Sequence, residues 1–130
     1  MKTILLVGDG LENPSVPDIL NEFGHKVISM QDGPTALSFL SKGIPVDLVI
    51  TDHRIDGLDG LELLASLKKL APSIPSILLT DEGSIETYLK ALSLGVFEYI
   101  SKPAKAGELG RIVQKALERP QPFKYGSTNV

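Results

Sequence analysis

The chain alternates short apolar runs with longer stretches in which apolar residues recur every three or four positions. Residues 3–8, 26–30, 46–51, 76–80 and 97–101 read as strands. The runs 3–8, 46–51 and 76–80 are nearly continuous in Ile, Leu and Val, as expected of strands buried on both faces of a parallel sheet. Between them lie five helical patterns. The first, about 15–23, presents Val16, Ile19, Leu20 and Phe23 and stops at Gly24. The second is capped by Asp32, presents Ala36, Leu37, Phe39 and Leu40, and ends before Gly43. The third follows the polar loop 56–60, is capped by Asp59, and carries Leu61, Leu63, Leu64, Leu67 and Leu70. After a turn bounded by Pro72 and Pro75, a Ser84-capped helix offers Ile85, Leu89, Leu92 and Leu94 for burial and ends at Gly95. The last helix, about 106–118, buries Leu109, Ile112, Val113, Ala116 and Leu117. The order βαβαβαβαβα predicts one parallel sheet with helices on both faces. Residues 1–118 are expected to form a single domain, and 119–130, with Pro120, Pro122, Gly126 and no apolar period, a flexible tail.

Composition narrows this picture modestly. A chain of 130 residues that is 42% hydrophobic and 22% charged is ordinary for a soluble globular domain. With no Trp, four Phe and three Tyr, its core must be aliphatic. The net charge of −3 gives no support for nucleic-acid binding by bulk electrostatics. The absence of Cys excludes disulfides, thiolate metal sites and cysteine catalysis, and fits a cytoplasmic location. The apolar run before Asp9 is too short for a signal peptide or a membrane span.

The candidate chemistry lies at strand ends. In an open parallel sheet, ligands bind outside the carboxyl ends of the strands. Asp9, Asp52, Thr80 and Lys102 all fall there if the five runs share one sheet. Two carboxylates and an ammonium in one crevice suit a divalent cation and phosphate chemistry. Asp52 can act as a nucleophile toward phosphorus, Thr80 can donate a hydrogen bond to a phosphoryl oxygen, and Lys102 can neutralise phosphate charge. Taken singly, each has a plainer reading: a loop-capping Asp52, a turn-forming Asp9 between Gly8 and Gly10, a β-branched strand residue, an exposed Lys. Pro103 restricts Lys102 to extended backbone, and the bond between them is a candidate for the cis form.

Their joint spacing is more specific. The chain resembles the receiver domain of bacterial two-component response regulators from about Lys2 to Leu117. The resemblance rests on Ile4-Leu5-Leu6-Val7-Gly8-Asp9, Asp47-Leu48-Val49-Ile50-Thr51-Asp52, Gly57-Leu58-Asp59-Gly60-Leu61-Glu62-Leu63-Leu64, Ile77-Leu78-Leu79-Thr80 and Tyr99-Ile100-Ser101-Lys102-Pro103. Ser84-Ile85-Glu86-Thr87 and Ala91-Leu92-Ser93-Leu94-Gly95 resemble the family's fourth helix. It implies a flavodoxin-like (βα)5 fold, doubly wound, with strand order 2-1-3-4-5. It further implies that Asp52 accepts a phosphoryl group from a phosphohistidine on a sensor kinase or phosphotransfer protein. By the same resemblance Asp9, Asp52 and the backbone carbonyl of Arg54 hold Mg²⁺, Thr80 and Lys102 hold the phosphoryl group, and Thr80 and Tyr99 form a switch pair that changes the surface of the fourth helix, fifth strand and fifth helix. Output domains, downstream proteins and a homodimer are the further partners it allows. Such a domain is a phosphorylated switch rather than a turnover enzyme.

Several positions depart from the family pattern. Gly8 stands where the first of two consecutive acidic residues is usual, so weaker Mg²⁺ binding is expected, with Glu12 a poor substitute. Asp81 replaces a small residue after the switch Thr and should repel a phosphoryl group or slow its transfer; the other reading lets it replace the charge lost at Gly8. Asp56 stands in place of a loop proline, Ala104 in place of a Phe, and Pro14 and Pro17 suggest a late start for the first helix. Two alternatives follow. One is a pseudo-receiver, a protein-interaction module independent of phosphorylation. The other is a Mg²⁺-dependent phosphohydrolase of the haloacid-dehalogenase kind, which needs a second Asp two residues after the nucleophile, where this chain has Arg54. There is no G-x-G-x-x-G after the first strand and no P-loop. His25 and His53 are not spaced as a metal pair, and His53, next to Asp52, is expected at most to modulate access.

Overall fold

The computed structural model describes residues 2–8, 16–55, 57–81 and 84–118. Asp9, Glu12, Pro14, Asp56 and the expected tail 119–130 therefore lie outside the described residues. Five strands, β1 (Thr3–Val7), β2 (Lys26–Met30), β3 (Leu48–Asp52), β4 (Ser76–Thr80) and β5 (Glu98–Ser101), alternate with five helices, α1 (Val16–Glu22), α2 (Gly33–Ser41), α3 (Gly60–Leu70), α4 (Ile85–Ser93) and α5 (Ala106–Glu118). All strand pairs are parallel, as the alternation of elements predicts, and the sheet order is β2-β1-β3-β4-β5, as the family resemblance implies.

Alternation along the strands builds two apolar layers. Ile4, Leu6, Leu48, Ile50, Ile77 and Leu79 face α1 and α5, where Ile19, Leu20, Leu109 and Val113 meet them. Leu5, Val7 and Val49 face α2 and α3, and Leu78 and Tyr99 face α3 and α4. The central strands are buried throughout, whereas β2 and β5 at the edges are only partly covered.

The caps fall where the sequence places them. Asp32 accepts from the Thr35 amide at 2.7 Å and its hydroxyl at 2.9 Å. These two bonds favour the ionised carboxyl and hold its pKa below the ordinary Asp value. Asp59 and Glu62 form a reciprocal capping box at the start of α3, with bonds of 2.9 and 3.0 Å. Ser84 accepts from the Thr87 amide at 3.1 Å. Pro17 lies inside the first turn of α1, where Pro is tolerated. No helix of the described residues is long and apolar enough to cross a membrane.

Several expectations need correction. β3 runs to Asp52 rather than stopping at Thr51, because the ladder continues with Asp52 opposite Leu79. It also starts two residues late, since Asp47 turns back to β1, accepting from the Thr3 amide at 2.8 Å. β5 likewise starts one residue late, and β1 ends at Val7. Leu70 at the end of α3 is 45% exposed rather than inward. The largest departure concerns α4: Ile85, Leu89 and Leu92 are 76, 57 and 47% exposed, and only Ala91 of the helix is buried. At about 100° per residue, positions 85, 88, 89 and 92 share one face and 87, 91 and 94 the opposite one. The apolar period is present but points outward.

His25, in the turn between α1 and β2, is half-buried. Its Nδ1 is buried with no hydrogen-bond partner among the described residues. Burial, and next the positive charge of the chain's amino terminus, lower its pKa below 6.5. The unfolded chain then binds a proton that the folded chain resists, so stability is full above pH 6.5 and falls as pH drops toward and through the folded-state value. In urea unfolding between pH 7.5 and 5, His25→Gln should lose less stability than the parent over this window; parallel curves would show that the ring is not held neutral by its surroundings.

Candidate functional site

Asp52 ends the central strand and is 5% exposed, so its carboxylate cannot be left without partners. Lys102, immediately after β5, supplies the main one. Its Nζ lies 2.7 Å from Oδ1 and 2.8 Å from Oδ2, straddling both oxygens. The Lys102–Pro103 peptide bond is cis. The amide of His53 adds a bond of 3.1 Å to Oδ1. Two charges withdrawn from water are held together more strongly than a surface pair, and removal of one strands the other.

The backbone around Asp52 is pinned on three sides. The His53 amide also donates to the Leu79 carbonyl at 2.9 Å, and the His53 carbonyl accepts from Gly60 at 2.7 Å, so α3 begins directly against the end of β3. A side chain at position 60 would run into the Asp52 carbonyl, which is why glycine opens that helix. Thr80 ends β4 at 1% exposure, with its hydroxyl 3.4 Å from Nδ1 of His53. Tyr99 on β5 is half-buried and packs edge-on against Tyr88 of α4, with ring centroids 5.3 Å apart at 82°.

Gly8 follows β1 on the other flank of Asp52. Its φ is +131°, a region that side-chain-bearing residues avoid, and a Cβ there would lie 2.7 Å from the Asp52 Cβ and 3.4 Å from Ile55. The space a side chain at position 8 would enter is thus taken by Asp52 itself. Asp81 is exposed and makes no hydrogen bond or ion pair with another described residue, so water screens its charge. The side chain of Arg54 is exposed.

The sheet therefore brings together Asp52, Lys102, Thr80, His53 and Gly8. Tyr99 lies beside them under α4, and Asp9 lies outside the described residues. Sequence reasoning gave His53 little weight, although β3–β4 pairing carried one step past Asp52 already places it beside Thr80. It did not foresee the close approach at Gly60.

Among the described residues, no three His, Cys, Asp or Glu side chains gather as a metal site. The oxygen donors near the site are the Asp52 carboxylate and the carbonyls of the following loop. An all-oxygen set with few protein ligands, completed by water, is the kind Mg²⁺ accepts, so the residues fit a largely hydrated ion.

The parallel five-stranded sheet of this order carries an acidic residue, a hydroxyl and a lysine at its carboxyl edge. The family model for the response regulator receiver domain matches residues 6–114, and the chain belongs to that family. It is 37% identical over 103 residues to the transcriptional regulatory protein GlrR of Escherichia coli K12, covering 79% of this chain and 23% of that protein. It is 34% identical over 118 residues to the nitrogen assimilation regulatory protein NtrX of Azorhizobium caulinodans, covering 88% of this chain and 26% of that one. The chain thus spans about a quarter of the length of these curated relatives. Among solved structures, a receiver domain protein from Clostridium thermocellum matches with a TM-score of 0.83 at 26% identity, over 92% of this chain and 96% of that one. The receiver domain of NtrX from Brucella abortus matches with a TM-score of 0.81 at 35% identity, over 90% and 99%.

Restoring a side chain at position 8 should be costly. Gly8→Ala is expected to lower unfolding stability by about 2 kcal/mol, from the positive φ and the contact with Asp52. Urea titration checks this, and an unchanged midpoint would mean that the turn relaxes without loss.

Proposed function

We propose that the chain is a working receiver: Asp52 accepts a phosphoryl group from a phosphohistidine on a sensor kinase or phosphotransfer protein. The observation that carries this reading is the buried Asp52 carboxylate at the end of the central strand with Lys102 astride both oxygens. In the transfer an Asp52 oxygen forms the new O–P bond as the donor's N–P bond breaks, and the histidine nitrogen keeps the electron pair. Lys102 must release one Asp52 oxygen for attack, and its ammonium then pairs with a phosphoryl oxygen. Thr80 donates its hydroxyl to another. Asp52, Asp9 and the Arg54 carbonyl would hold Mg²⁺, which when bound would supply further positive charge to the phosphoryl group. Gly8 leaves that ion fewer ligands, so weak binding belongs to the proposal, and Asp81, screened by water, slows transfer without blocking it.

The new acyl phosphate exceeds the carboxylate it replaces by about one negative charge near neutral pH. Thr80 and Tyr99 answer it, and the change reaches the α4–β5–α5 surface, where Ile85, Leu89 and Leu92 are already exposed. The domain spans 1–118, acts in the cytoplasm and passes its signal to an output domain or downstream protein; DNA contact, if the pathway needs it, belongs to such a partner. Turnover is confined to loss of its own phosphoryl group, since Arg54 offers no acid–base carboxylate for a phosphohydrolase.

A second reading draws on the closure around Gly8. If Lys102 never yields Asp52, the same fold serves as a phosphorylation-independent binding module.

Incubation with Mg²⁺ and acetyl phosphate, followed by intact-mass measurement, separates the two. The parent should gain one phosphoryl group, Asp52→Asn should gain none, and excess chelator should suppress the gain. No gain at any Mg²⁺ concentration, together with no binding of beryllofluoride, would leave the binding-module reading.

A further inference from the structure

We propose that His53 is a positioning residue that latches the switch hydroxyl of Thr80 on the α4 side of the sheet and so sets the resting end of the switch. The inference rests on the receiver reading above and adds to it a regulator of the same site.

The geometry gives the latch a direction. Side chains alternate between the faces of a sheet, and residues paired in a parallel ladder share a face. Asp52 pairs with Leu79 and lies two residues beyond Ile50; both of those residues belong to the layer under α1 and α5. Lys102 lies two residues beyond Ile100 of the same layer. Thr80 lies two residues beyond Leu78, which packs beneath α3 and α4. His53, one step past Asp52 and bonded through its amide to Leu79, falls in line with Thr80 on that second side. The 3.4 Å contact between Thr80 Oγ1 and His53 Nδ1 thus ties the hydroxyl to the ring on that second side.

The ring is a firm post for such a latch. Its backbone is tied to β4 through the Leu79 carbonyl, to α3 through Gly60 and to the Asp52 carboxylate. A threonine hydroxyl has one proton and one χ1 torsion. Either tautomer of the ring restrains Oγ1 on the α4 side, and Thr80 must break that contact before it can donate to a phosphoryl oxygen on Asp52. The contact is long for an N···O hydrogen bond, so the latch is weak and reversible, as a switch requires.

Two variants test this. His53→Leu keeps bulk and removes the hydrogen bond, and His53→Asn retains a polar atom at the place of Nδ1. Three-bond couplings to the ¹³C-labelled Thr80 methyl report its χ1 populations without any phosphorylation. The parent and His53→Asn should show one dominant rotamer, and His53→Leu a mixture. Beryllofluoride, a phosphoryl analogue, should bind His53→Leu about threefold more tightly than the parent, the scale of one weak hydrogen bond. That gain should vanish in a Thr80→Ala background. An unchanged Thr80 rotamer in a folded His53→Leu protein overturns the latch, and so does a gain in affinity that persists without the Thr80 hydroxyl, which would mark His53 as a steric gate. Should the parent bind no beryllofluoride and accept no phosphoryl group, the receiver reading fails, while the couplings still decide whether His53 holds Thr80.

Discussion

One buried carboxylate organises the carboxyl edge of this sheet. Asp52 sits at the end of the most enclosed strand, and its charge there is tolerable only because Lys102 covers it. The lysine reaches it from β5, two strands away, a separation of roughly 10 Å between neighbours-but-one in a sheet. A long side chain leaving the end of β5 spans that gap. The strand order therefore decides that Lys102 is the charge partner of Asp52. The α3 N-terminus, pressed against the Asp52 carbonyl through Gly60, fixes the same residue from the other side.

The sheet also divides the candidate site between its two faces. Asp52 and Lys102 belong with the face under α1 and α5, and Thr80, Tyr99 and Tyr88 with the face under α4. Thr80 stands at the strand end with its hydroxyl 3.4 Å from the His53 ring. α4 lies over that second face. Its apolar stripe points to solvent, and Ala91 is its one buried residue. A helix with so little buried apolar surface opens or shifts at low cost, the kind of element from which moving parts are drawn. Its exposed Ile85, Leu89 and Leu92 form apolar surface of the sort that marks contact with other proteins.

Most of this was legible in the chain. Apolar runs bounded by glycine and capping residues placed every element to within two residues, because the strands are buried on both faces and the caps Asp32, Asp59 and Ser84 act locally. The strand-end rule collected Asp52, Thr80 and Lys102 before any coordinates. What escaped was the facing of an element and the distances between elements. Periodicity shows that residues 85, 89 and 92 share a side of α4 but not which side meets the sheet, and there the inward assignment was wrong. The weight of His53 depends on register beyond the end of β3, and the closure at Gly8 on a backbone angle and a 2.7 Å approach, neither of which a residue pattern encodes.

The departure at Gly8 changes the electrostatics as well as the shape. With no side chain there, position 8 adds no carboxylate to the site, and Asp52 and Lys102 form a neutral pair. A neutral pair attracts a divalent cation less than a pocket with excess negative charge does, yet it also repels an incoming phosphoryl group less. An extra negative charge on Asp52 would exceed what Lys102 alone neutralises. A receiver and a phosphorylation-independent module built on this sequence then differ in one quantity, the free energy needed for Lys102 to surrender an oxygen of Asp52. The burial that strengthens the pair raises it, and the charge that arrives with the phosphoryl group offsets it.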